Sequence, residues 1–173
     1  MPFTDQDCRS EDAPVAPAVY RQLMRNLASG VVVITAAHAG RRHGMTATAV
    51  ASVAADPATL LVSVHRGARC HALIADSRSF AVNVLAEGQG ALGAHFANTF
   101  EDRFAGIAHY PGLDGLPLLE GTAASLECRV IEQCDIATHT VFFGRVIGGH
   151  QAGATAPLVY HHSTYHGLAV LPG

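Results

Sequence analysis

The sequence predicts a mainly β domain, an antiparallel barrel or sandwich with a few helices at its edges. Three observations carry that expectation. About seven short runs are β-branched or alternate apolar with polar residues, and turn residues separate them. Few segments show helical spacing, and they do not alternate with the strands as repeated βαβ units would require. Finally, 49% of residues are hydrophobic, 17 are glycine and only 14% are charged, against roughly 25% charged in an average soluble domain. A chain of 173 residues is one domain in size, and its apolar excess points to an oligomer.

The elements follow in order. Residues 1–16 mix charge with proline and read as an arm, leaving 17–173 as the folded domain. Tyr20, Leu23, Met24 and Leu27 recur at helical spacing over residues 18–28, and Ser29-Gly30 ends that helix. Residues 31–35 (VVVIT) are too short and too β-branched for a helix. AAHAGRRHG reads as a hairpin turn and residues 45–53 as its return strand, with Met45, Ala47, Ala49, Ala51 and Val53 on one face. Asp56-Pro57 turns the chain into a strand over 59–65, ARCHALIADS is a short helix, and 79–86 is a further strand. GALGAHFANTF suggests a second full helix, whereas the Gly- and Pro-rich stretch 106–121 reads as loop. Two long strands (122–133 and 138–150), the short strand PLVYH and a terminal segment complete the domain.

Composition excludes several functions. The chain has no lysine, which removes a Schiff-base lysine, a phosphate-loop lysine and a lysine-rich tail at once. A net charge of −3 with scattered arginines argues against nucleic acid. No apolar run is long enough to span a membrane, and the polar, acidic first residues are unlike a signal peptide, so the expected location is cytoplasmic. Cys8, Cys70, Cys128 and Cys134 are then expected to be free thiols, with Cys128 in the core.

Local motifs are weak guides. Gly88, Gly90 and Gly93 match a dinucleotide fingerprint literally, but no acidic-ended parallel strand follows about 20 residues on, so the match is set aside. His161, His162 and His166 lack a cysteine or carboxylate partner at metal-site spacing, and no metal is expected. No GxSxG is present. Asp102-Arg103-Phe104 is either a structural ion pair or part of a site, and His139 is equally open on its local sequence.

Several segments together resemble one family, the short-chain flavin reductases of the FMN-binding split-barrel type. YRQLMRNLASGVVVIT, HGMTATAVASVAADP, FAVNVLA, HFA with DRFAG, THTVFFGRV and PLVYHHSTYHGL stand in the family's order and spacing over residues 18–170. Thr48 and Ala49 replace two family serines, and Ala137-Thr138 replaces a Gly-Asp before His139.

The resemblance implies an antiparallel split β-barrel of Greek-key type, a homodimer, and flavin (FMN or FAD) held at the subunit interface. By the same resemblance, Thr46, Ala47, Thr48 and Ala49 would line the flavin ring, largely through backbone groups. Ser63, Val64, Arg66 and Arg69 would lie near the ribityl phosphate, where a guanidinium fork suits phosphate oxygens. Asn83, Phe96, Ala97, Arg103 and Phe104 would complete the pocket, with His139 and Tyr165 by the nicotinamide. The implied activity is NADH- or NADPH-dependent reduction of flavin, delivered to a separate monooxygenase, with His139 as the candidate catalytic side chain. Two rivals share the fold: a flavin- or haem-binding protein without reductase turnover, and an oxidase of a small phosphorylated ring.

Overall fold

The computed structural model describes residues 13–99, 101–153 and 155–169. Cys8 and most of the expected arm therefore lie outside the described residues. Seven strands form one antiparallel sheet in the order β3-β2-β6-β9-β10-β5-β4. They are β2 (Val32–His38), β3 (Arg41–Ala47), β4 (Val50–Ala55), β5 (Ala58–His65), β6 (Ser79–Val84), β9 (Ala124–Ile136) and β10 (His139–Gln151). A small sheet joins β1 (Ser29–Gly30), β11 (Val159–His161) and β12 (Thr164–His166). Among the described residues three α-helices accompany them: α1 (Pro17–Met24), α2 (Arg69–Ser77) and α3 (Gly90–Ala97). Among the described residues every strand pair is antiparallel, which removes the context the Gly88–Gly93 fingerprint would need. No described helix is long and apolar enough to cross a membrane.

The unbroken run at the start of β2 has a packing cause. Val32 and Ile34 enter one core with Val62, Val64, Phe80 and Phe142, and α2 closes it with Cys70, Leu73 and Ile74. Val31 and Val33 enter a second core with Leu85, Phe96, Phe104, Leu119 and Leu158. The strand is covered on both faces, so apolar residues do not alternate with polar ones.

Four local expectations change. The hairpin turn is only Ala39-Gly40, with φ of +49° and +73°. Two left-handed residues match the twist of flanking strands, so pairing runs up to His38 and Arg41. The return strand is not continuous over 45–53. It breaks at Thr48-Ala49, where the Val50 N–H donates to the Thr48 carbonyl (3.0 Å) and the Ser63 N–H to the Ala49 carbonyl (3.0 Å). Within the expected loop, β7 (His109–Pro111) pairs with β8 (Pro117–Leu119), a hairpin whose terminal prolines disguise it. The first helix also ends earlier than residue 28, because the Asn26 side chain caps the Gln22 and Leu23 carbonyls.

Candidate functional site

The break between β3 and β4 builds the site. β3 is tied to α3 by Thr46, whose hydroxyl donates to the Gly93 carbonyl at 2.6 Å. Between β3, the loop after β5 and the end of α3 lies a cavity of about 430 Å³. His43, Met45, Arg69, Phe96, Ala97 and Arg103 are among its lining residues. A second chamber of about 220 Å³ is walled by Val31, Thr46, Ala47, Thr48, Ala97, Tyr160 and Tyr165. The two share Thr46 and Ala97, so they adjoin across a wall of small residues and are taken together as one cleft.

The ends of the cleft differ in charge. Arg69 and Arg103 line the first cavity, and no carboxylate of the described residues does. The Arg103 Nη1 donates to the Gly44 carbonyl (2.9 Å) and the Phe96 carbonyl (2.7 Å), which fixes the guanidinium. Its Nε is buried and has no hydrogen-bond partner among the described residues. Burial, and then the Arg69 charge, holds Arg103 below the ordinary guanidinium range. His43 is only 8% exposed. Burial first, and then Arg103 and Arg69, lowers its pKa to about 4, so it is neutral at physiological pH. Two uncompensated guanidiniums beside an orphaned buried N–H suit a phosphate group. The second chamber suits a flat ring, because alanine and threonine let it approach the backbone closely.

Residues 24–169 match the flavin reductase like domain family. The chain belongs to this family. One relative is the FMN reductase (NADH) RutF of Stutzerimonas stutzeri strain A1501, 36% identical over 159 residues, covering 91% of this chain and 91% of that protein. Another is the reductase component of a 4-nitrophenol 4-monooxygenase/4-nitrocatechol 2-monooxygenase from Rhodococcus opacus, 36% identical and covering 88% of this chain and 81% of the relative. The solved NADH:FAD oxidoreductase SgcE6 of Streptomyces globisporus C-1027, in complex with NAD and FAD fragments, superposes with a TM-score of 0.84 at 29% identity. That match covers 88% of this chain and 92% of the other. The split-barrel fold of this flavin reductase family is therefore the fold of this chain.

The structure does not bring all the expected residues to the cleft. Thr46, Ala47, Thr48, Arg69, Phe96, Ala97, Arg103 and Tyr165 line it. Ala49 lies on the far side of the break, in a neighbouring cavity. Phe104 backs Phe96 with ring centroids 5.4 Å apart and is itself core. Val64 is fully buried inside the barrel. Ser63 is half-buried and joins the wall through its backbone bond to Ala49.

Three polar residues serve the frame within this chain. Arg66 is turned to the β9–β10 turn, donating to the Ala137 carbonyl (2.6 Å) and approaching Asp135 at 3.7 Å. Asn83 is fully buried: its amide donates to the Val33 carbonyl and Thr35 hydroxyl and accepts from the Leu119 N–H and Ser125 hydroxyl. Asp102 does not pair with Arg103; its carboxylate accepts the Phe104 N–H at 2.9 Å in a local turn.

His139 lines neither chamber of the cleft. It sits edge-on to His65 at 5.1 Å, and the His65 Nδ1 accepts the N–H of Gly67 at the rim of the first cavity. His43 was hidden from sequence reasoning because it falls inside the expected turn. Its one legible signal is the period-2 spacing with Met45, which becomes meaningful only when the strand extends to Arg41. Cys128 is buried as expected, and Cys70 is too; burial pushes both thiols up to about 12.

Proposed function

We propose that this chain is an NAD(P)H-dependent flavin reductase that reduces FMN or FAD and releases it to a separate flavin-dependent monooxygenase. The observation that carries the reading is the pair of adjoining cavities, one cationic at Arg69 and Arg103 and one small-walled at Ala47 and Thr48. Arg69 and Arg103 hold the flavin phosphate, and Thr46 to Thr48 with Tyr165 flank its ring. When bound, flavin supplies an N5 that accepts hydride from C4 of the reduced nicotinamide, a solvent proton completing the two-electron reduction.

The protein's own contribution is positional. Backbone N–H groups around the Thr48-Ala49 break face negative charge developing on the ring, and the fixed wall keeps the two rings stacked. No acid–base pair is required, since both reacting atoms belong to the bound molecules. We further propose that His139, which lines neither chamber within one chain, reaches the nicotinamide of a second copy across the dimer and orients its carboxamide. His139→Ala then lowers kcat with flavin affinity unchanged; equal kcat removes the residue from the mechanism.

A homodimer accompanies this reading. β4 (Val50–Ala55) is the edge of the large sheet, and Ala51, Val53, Ala54 and Ala55 are exposed along it. An apolar edge strand of that kind pairs or aggregates unless it is covered, and a second copy covers it. Val53→Asp is expected to shift the mass measured by analytical ultracentrifugation from dimer to monomer. A cytoplasmic location fits the unpaired thiols of Cys70, Cys128 and Cys134.

The deciding experiment follows NADH and NADPH oxidation at 340 nm with and without FMN, FAD or riboflavin. Flavin-dependent oxidation is the expected result. Background rates with every flavin would reduce the protein to a binder on a reductase fold.

A further inference from the structure

The cationic cavity holds a third buried group besides its two arginines. His43, on β3, is 8% exposed and lines the cavity with Arg69 and Arg103. Its strand neighbours are used elsewhere: Gly44 faces the Phe96 ring, and Arg42 lies over Phe104 and donates to the His109 Nε2 at 2.9 Å. Among the described residues the His43 ring makes no hydrogen bond. A further wall is the start of α2, which opens at Ala68 with no side chain to cap its first N–H groups.

The charges that bear on His43 are positive. Arg103 reaches it from the chain after α3 and Arg69 from α2, and no carboxylate of the described residues lines the cavity. The other titratable groups on the elements packed against β3 are engaged or remote. Cys70, next to Arg69, is a buried thiol pushed up to about 12, and His95 on α3 has its Nε2 at 2.8 Å from the Arg103 carbonyl. Asp102 is held in its own turn by the Phe104 N–H, and Asp76 is exposed at the other end of α2. On β2 the residue paired with His43 is Ala36. Burial and the two cations therefore keep the imidazole neutral, and among the described lining residues it is the group whose charge can answer to a bound anion.

We infer that His43 completes the phosphate site, and that it takes a proton from solvent when the dianionic monoester of FMN binds. The inference rests on the flavin reading of the cleft. A phosphate monoester has its second ionisation near pH 6 and carries close to two negative charges above it. Set between Arg69 and Arg103, those charges cancel the cations that had kept His43 neutral, and they favour the imidazolium. One proton passes from water to a ring nitrogen, which then donates to a phosphate oxygen. Below about pH 6 the monoester brings that proton itself, and none is drawn from solvent. The phosphates of FAD are diesters with one charge each and no ionisation near neutral pH, and riboflavin has no phosphate. The coupling makes His43 a determinant of specificity for the monoester.

The test is calorimetry of FMN, FAD and riboflavin binding to the full chain without nicotinamide, at about pH 7.5, in two buffers of different ionisation enthalpy. The difference between buffers gives the protons exchanged per flavin bound. The parent is expected to take up about one proton per FMN, and its FMN Kd to rise by up to about tenfold per pH unit above pH 6. FAD and riboflavin bind with uptake near zero. His43→Gln, which keeps an N–H donor and cannot ionise, removes the uptake and flattens the FMN profile.

An FMN uptake near zero in the parent overturns the inference, as does an uptake that survives in His43→Gln. Equal uptake with FAD or riboflavin overturns it too, because the titrating group would not be answering to a monoester. So does failure to bind FMN. The comparison of the three flavins on the parent decides the matter even where the variant does not fold. A parent that binds FMN with the expected uptake, yet oxidises neither NADH nor NADPH with any flavin, refutes the reductase reading alone.

Discussion

Replacing Gly44 with alanine tests how the barrel core supports the cleft. Gly44 lies on β3 opposite Thr35, and a Cβ built there would stand 2.6 and 2.8 Å from two Phe96 ring atoms and 3.4 Å from Phe104. Carbon atoms prefer about 3.5–4.0 Å, so the ring must retreat by roughly an ångström. Phe96 is fully buried and its ring packs against Phe104, so the retreat either strains that packing or pushes the ring towards the cleft it lines. Overpacking of this kind costs about 1–3 kcal/mol, which lowers Tm by about 2–4 °C per kcal/mol for a chain of this size.

The same movement displaces a cleft wall, since Phe96 lines the cationic cavity and its carbonyl accepts from Arg103. Flavin affinity is therefore expected to fall together with Tm. Calorimetric unfolding and fluorescence titration read the two effects. Gly30→Ala is the control, having nothing within 4 Å of its Cβ. Phe96→Leu in the Gly44→Ala background should make the pair less than additive by on the order of 1 kcal/mol. An unchanged Tm for Gly44→Ala, or strict additivity with Phe96→Leu, would refute the reasoning.

The neutral His43 carries a pH signature. Its pKa is lowered to about 4 in the fold from an ordinary 6.5, so the unfolded chain binds the extra proton first. Its contribution is fully present above pH 6.5 and is lost as pH falls towards 4, on the order of 2 kcal/mol in all. Unfolding titrations of His43→Gln should show a flatter profile across that window. Asn83→Ala leaves the Leu119 N–H and the Val33 carbonyl without their side-chain partner, and a loss of about 3 kcal/mol or more is expected by denaturant unfolding. A stable Asn83→Ala protein that fails only to bind flavin would return Asn83 to the site. Thr48→Arg puts a long side chain where the ring chamber meets the neighbouring cavity lined by Ala49, and flavin-dependent oxidation should vanish in a protein that still folds. Full activity in that variant would show the ring to lie elsewhere.

The pattern of short β-branched runs, the absence of βαβ alternation and the ordered segments from YRQLMRNLASG to PLVYHHSTYHGL were enough to reach the split barrel and its family. Such features are local: a period-2 strand or an Asp-Pro turn is written in neighbouring residues. Thr46 to Thr48, Ala97, Arg69 and Arg103 could be named in advance because they sit inside those segments. What decides their use is distant in sequence. Arg66 and Arg69 are three residues apart, yet Arg66 is captured by Ala137 and Asp135 across the sheet while Arg69 stays in the cavity. Asn83 differs from a ligand-facing asparagine only through Leu119 and Ser125, which no spacing rule connects to it. His43 became a neutral buried group only when separate elements closed around it. Local periodicity therefore determined the elements and the family, whereas burial, charge and shared cavities were decided by contacts between residues far apart in the chain.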